Sequence, residues 1–178
     1  LLKMKTIKIL LLSLIAFGAY AQKSPTDAVF DKYAEKEGFT TVYISKYMFN
    51  LFANSEAAEQ DDFVKIISGL ESIKILSVED SLLNIKLNLY KELAPTLPFD
   101  KYEELMVIKE KGQDTRMMIR KENGKFREFL MIGGGKDNFL ISITGNINLE
   151  SISKLSKTMN IKELEGVDKL ETKSTEKK

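Results

Sequence analysis

Apolar positions along this chain keep a helical rhythm in its first half and an alternating one in its second. Residues 9–17 are an apolar run interrupted only by Ser13. Val29, Phe30 and Tyr33 share one face of a helix that Ser24-Pro25-Thr26-Asp27 starts, with Ser24 as N-cap and Pro25 at the first helical position; Gly38 closes it. Residues 39–44, β-branched and aromatic, read as a strand. Ser45 caps a second helix carrying Tyr47, Met48, Phe49, Leu51 and Phe52, apolar nearly all round. Residues 54–60 are a polar loop or a frayed helical bridge, and Asp61 caps a third helix over 63–70. Residues 72–78 form a strand, and 82–93 a helix closed by Ala94-Pro95 and Pro98.

Four strands then follow in succession, over 104–111, 114–121, 125–132 and 138–144. Gly112-Gln113 and Asn123-Gly124 are two-residue links, and Asn-Gly is the strongest short hairpin signal. Residues 133–137 make a looser turn. Asn148 caps a helix with Leu149, Ile152, Leu155 and Met159 on one side, and residues 169–178 are a charged tail expected to be disordered. No internal repeat or long linker divides the chain. The pattern predicts one α+β domain over residues 22–168: an antiparallel four-strand meander, two further strands, and helices packed on one face.

The hairpin links predict register, and register predicts faces. Across the links Met118 opposes Phe129, Arg120 opposes Arg127 and Arg116 opposes Lys109. One face then carries Met106, Ile108, Met117, Ile119, Leu130, Ile132, Phe139, Ile141 and Ile143, with Glu128 an awkward member. The other holds Lys109, Arg116, Arg120 and Arg127 among Leu105, Val107, Met118, Phe129, Met131, Leu140, Ser142 and Thr144. Like charges set opposite each other are destabilising, so a face with every arginine of the chain invites a function. Arginine suits bidentate contact with carboxylate or phosphate, and methionine gives adaptable apolar contact. Lys109, Arg116, Arg120, Arg127, Met118, Phe129 and Met131 are therefore the candidate binding surface. Its expected partner is acidic and partly apolar: an envelope protein, an amphipathic anionic ligand such as a lipid, or a second copy of the chain. The competing structural reading has residues 39–71 folding over this face while the arginines reach to its rim.

The N-terminus adds a destination. Lys3, Lys5 and Lys8 precede the apolar run, and Ala19-Tyr20-Ala21 follows it, the three parts of a secretory signal peptide cleaved between Ala21 and Gln22. The run is far shorter than the ~20 residues that span a bilayer. Taking its three lysines from the 27 basic residues leaves 24 against 26 acids, so +1 becomes −2. Near-neutral charge gives no electrostatic case for nucleic acid. The expected location is periplasmic or secreted, and without cysteine the chain has neither disulfides nor a lipoprotein anchor.

Composition also narrows the chemistry. Histidine and cysteine are both absent, which removes the usual zinc ligands, the commonest general base and the commonest strong nucleophile. No cofactor is expected. Gly133-Gly134-Gly135-Lys136 lacks the upstream glycine of a phosphate loop, Leu130 standing in its place, and a strand follows where a helix is needed. Ser151-Ile152-Ser153-Lys154 has the Ser-x-x-Lys spacing of penicillin-binding enzymes without their partner motifs. Asp61-Asp62 and Glu103-Glu104 are adjacent in sequence and do not flank a sugar as glycosidase carboxylates must. A non-enzymatic binding or interaction domain is the expectation. The alternatives are a small envelope hydrolase or transferase using carboxylates and lysine, and a structural subunit of an envelope assembly.

Four stretches resemble an uncharacterised family of exported Bacteroidetes proteins, domain of unknown function 4252. They are Glu37-Gly38-Phe39-Thr40-Thr41-Val42-Tyr43-Ile44-Ser45-Lys46, Tyr102-Glu103-Glu104-Leu105-Met106-Val107, Leu130-Met131-Ile132-Gly133-Gly134 and Leu140-Ile141-Ser142-Ile143-Thr144-Gly145. The likeness spans residues 24–160 and implies a secreted or periplasmic α+β domain of a Gram-negative bacterium. It carries no catalytic residue over.

Overall fold

The computed structural model describes residues 24–54, 61–147, 152 and 154. The expected signal peptide, residues 55–60, most of the helix expected from Asn148 and the charged tail lie outside them, as do the side chains of Asp61 and Asp62. The elements are α1 (Asp27–Tyr33), β1 (Phe39–Ser45), α2 (Lys46–Ala53), α3 (Asp61–Ser68), β2 (Leu70–Val78), α4 (Ser81–Lys86), α5 (Leu89–Leu93), a 3-10 turn (Phe99–Lys101), β3 (Glu103–Glu110), β4 (Gln113–Glu122), β5 (Lys125–Gly135) and β6 (Phe139–Gly145). All six strands form one antiparallel sheet in the order β1-β2-β6-β5-β4-β3. The meander β3–β6 and the two further strands are those the sequence predicted, and the protein is α+β.

Two apolar layers sandwich the sheet. Phe49 of α2 and Ile66 and Ile67 of α3 pack with Ile73, Met117, Phe129, Met131, Ile141 and Ile143. Val29, Phe30 and Tyr33 of α1 and Leu89 and Leu93 of α5 pack with Leu76, Met118, Leu130, Ile132 and Leu140. Odd and even positions of one strand point to opposite faces, so the helices divide between both faces, where the sequence reading put them on one. The segment holding α2 and α3, a candidate cover for the arginine face, covers the opposite one.

One residue accounts for the misassigned faces. Asn123 and Gly124 take the expected left-handed turn, with φ 52° and 74°. Beyond it the ladder shifts: Lys121 pairs with Phe126, but Arg120 pairs with Glu128, leaving Arg127 extra in a β-bulge. Met118 therefore opposes Leu130, not Phe129. A one-residue slip turns a whole strand over. Phe129 and Met131 leave the arginine face for the α2–α3 core, and Leu130, Ile132 and Glu128 replace them. The β3–β4 link is Lys111-Gly112, so Arg116 opposes Val107 and Lys109 opposes Asp114.

The expected helix over 82–93 breaks at Leu87-Asn88. Asp80 caps α4 through the Leu83 N–H (2.7 Å), and Asn88 caps α5 through the Lys91 N–H (3.0 Å). The glycine run is strand, not loose turn. A Cβ on Gly134 would stand 2.4 Å from the Asn88 side-chain oxygen and 2.9 Å from the Tyr90 backbone nitrogen, because α5 lies directly on β5 there. Close approach, not flexibility, explains these glycines.

Candidate functional site

The arginine-bearing face is closed at one end and open at the other. Met118 is buried under α1 and the 89–102 segment. Arg116 is held between Glu104 (2.9 Å) and Asp114 (3.6 Å), its guanidinium 4.4 Å from the Tyr90 ring centre. Lys109 is exposed at the β3 edge beside Asp114. The seven candidate residues are thus not one surface: Met118, Phe129 and Met131 are core on two different faces, and Arg116 is occupied.

Arg120 and Arg127 meet elsewhere. At the end of the sheet where Ser72, Thr144 and Glu128 lie side by side, a cleft of about 550 Å³ opens. Ser24, Asp27, Tyr43, Glu71, Ser72, Lys74, Arg120, Glu122, Arg127 and Thr144 line it. The bulge is what delivers Arg127 here, next to Glu128. Lys74 binds Asp27 at 2.6 Å and its ammonium sits 5.3 Å from the Tyr43 ring centre. Ser72 and Thr144 share a hydrogen bond of 2.8 Å. Among the described residues, Arg127 has neither an ion pair nor a hydrogen bond through its side chain.

Glu128 is the floor of this end and is wholly buried. Its Oε1 accepts from the hydroxyls of Ser24 (2.7 Å), Thr26 (2.9 Å) and Ser142 (2.7 Å). Its Oε2 accepts from Tyr102 Oη (2.9 Å) and Arg120 Nε (3.1 Å). Ser24, expected as a helix cap, instead spends its hydroxyl on this carboxylate, and Thr26 takes the N-cap position without a side-chain cap. Burial, and then the Glu128 charge, push the Tyr102 phenol well above its ordinary range. Burial opposes the Arg120 charge, but hydrogen bonds to Glu122 and Glu128 outweigh it and hold the guanidinium above its usual pKa.

A second, apolar cleft of about 280 Å³ lies around the β1 edge. Tyr43, Ile44, Ser45, Met48, Phe49, Phe52 and Ile67 line it. Tyr43 belongs to both clefts, so charged and apolar surface meet at one side chain. The sequence pointed to α2 as apolar all round, but nothing in it joined α2 to Arg127, which is 74 residues or more away in the chain.

Among the described residues no group of three His, Cys, Asp or Glu side chains is placed to hold a metal, and no helix is long and apolar enough to cross a membrane. The family model of a domain of unknown function, DUF4252, matches residues 33–155. The chain belongs to that family. No curated protein and no solved structure matches it.

Proposed function

We propose that this member of the DUF4252 family is an exported, non-enzymatic binding domain whose partner is acidic at one end and apolar at the other. One observation carries the reading: Arg127, whose guanidinium has no ion pair or hydrogen bond among the described residues, lines a polar cleft that shares Tyr43 with an apolar one. A carboxylate or phosphate group would sit on Arg127, and the attached apolar part would pass Tyr43 into the cleft between β1 and α2. Ser24, Asp27, Lys74 and Arg120 at this end are tied into the fold by internal partners. That arrangement favours recognition over the hydrolase or transferase alternative. Export rests on the N-terminal lysines, apolar run and Ala-x-Ala site; fractionation and N-terminal sequencing should find a periplasmic or secreted protein beginning at Gln22.

Dodecyl phosphate below its micellar concentration is a suitable probe, with dodecyl maltoside as the uncharged control. A hydrogen bond to a charged group is worth about 1.5–3 kcal/mol. Arg127→Ser should therefore weaken the phosphate probe roughly 10- to 100-fold and leave the maltoside unchanged. Equal affinity of wild type and variant for dodecyl phosphate, by titration calorimetry, would remove the proposal.

A further inference from the structure

The two edges of the sheet are built differently. β3 carries Glu103, Glu104, Lys109 and Glu110 and a register shift between Glu104 and Met106, the devices that keep an edge from pairing. β1, Phe-Thr-Thr-Val-Tyr-Ile-Ser, has no charge, no proline and an unbroken seven-residue register with β2. Its outer row of backbone N–H and C=O groups faces away from the sheet. Six of the eight large apolar side chains exposed among the described residues (Val42, Tyr43, Tyr47, Met48, Leu51 and Phe52) lie on this strand or the helix that follows it.

We infer that β1 pairs antiparallel with β1 of a second copy, about a two-fold axis through Val42, to make one continuous sheet across both protomers. The sequence is self-complementary in that register. Val42 meets Val42, Thr41 meets Tyr43, Thr40 meets Ile44 and Phe39 meets Ser45, with no like charges opposed. The six exposed side chains offer roughly 600 Å², given that a large aromatic buries about 150–250 Å². With the strand backbone this approaches the ~800 Å² per partner of a stable interface. The axis stands perpendicular to the sheet, so both polar clefts stay on one face. The pairing rests on β1 and the exposed side chains of α2, and needs nothing bound in the clefts.

The absence of cysteine from the chain makes the test clean. A Val42→Cys protein places its thiols across a pair with a Cα separation of ~4.5–5.5 Å, within disulfide reach. Thr40→Cys places them ~14 Å apart at ~3.4 Å per residue, beyond it. Under mild oxidation Val42→Cys should become a covalent dimer and Thr40→Cys should not. By analytical ultracentrifugation the unmodified protein should sediment as a dimer, and Val42→Lys, setting two ammonium groups face to face, should weaken association at least tenfold. Leu82→Lys, on the other exposed apolar site, should leave it intact. Equal cross-linking of the two cysteine variants, a wild type that is monomeric throughout, or a dimer dissolved by Leu82→Lys and not by Val42→Lys would overturn the pairing. Dodecyl phosphate is absent from these measurements, so their outcome is separate from that of the cleft.

Discussion

Replacing Glu128 with glutamine tests whether a buried charge organises the cleft end of the sheet. Five donors converge on the carboxylate: three hydroxyls on Oε1, and Tyr102 and Arg120 on Oε2. Glutamine has the same shape but one acceptor oxygen. Arg120 cannot accept, so that oxygen must turn toward Arg120 and Tyr102. The amide nitrogen then faces three hydroxyls with only two hydrogens to give them. One hydroxyl loses its carboxylate acceptor, at ~1–2 kcal/mol, and keeps only its contact with a neighbouring hydroxyl. The Arg120 bond, no longer made to an anion, drops from ~1.5–3 to ~0.5–1.5 kcal/mol. The variant should lose about 2–4 kcal/mol in all. At ~2–4 °C per kcal/mol for a chain of this size, the melting temperature should fall by about 4–16 °C. The chain has no tryptophan, so far-UV circular dichroism in a urea titration is the suitable readout. Glu128→Ala, which adds a cavity, should cost more. A glutamine variant within ~0.5 kcal/mol of wild type would mean that the charge is not what these donors hold.

Two further perturbations probe the same architecture. The Tyr102 phenol ionises above its ordinary value of 10.0 in the folded protein, through burial and then the Glu128 charge. Below that pH it is protonated in both states and costs nothing; above it the unfolded chain sheds the proton first, so stability falls as pH rises. Tyr102→Phe should flatten that alkaline loss in melts between pH 9 and 11, and an unchanged slope would count against the Tyr102–Glu128 contact. Gly134→Ala should cost at least ~2 kcal/mol by urea denaturation, in the range of an overpacked site, since its Cβ would stand 2.9 Å from the Tyr90 backbone; a neutral result would mean that α5 does not rest on β5.

Local chemistry was legible in the sequence where local chemistry decides the outcome. Asn123-Gly124 marked its hairpin because both residues adopt positive φ at little cost. The β-branched run at 39–44 marked β1, and the alternation after residue 104 marked the meander. The bulge at Arg127 left no such trace, and it inverted the assignment of Phe129, Leu130, Met131 and Ile132 at a stroke. The candidate site was therefore half visible. Arg120 and Arg127 do share a cleft, whereas Met118, Phe129 and Met131 are core and Arg116 is engaged with Glu104 and Tyr90. Glu128 was noticed as awkward, but its partners Thr26 and Ser24 lie 102 and 104 positions away. No periodicity connects residues so distant. The glycine run misled because sequence does not distinguish a glycine that bends from one that lets a helix come close.

Ser24 and Thr26 leave the ribosome well before the groups they bond. Thr26 waits for Glu128, then for Ser142 of β6, 116 positions later. β2 likewise has no inner neighbour until β6 arrives. Such distant pairings make folding slow: α1 can reach β1 and β2 early, through Phe39, Lys74 and Leu76, but its Thr26 hydroxyl has no buried partner until β5 and β6 are made. A newly made molecule would thus remain open to proteases and holding chaperones until β6 closes the sheet. Truncation before residue 139 should yield not a smaller stable protein but an unfinished one.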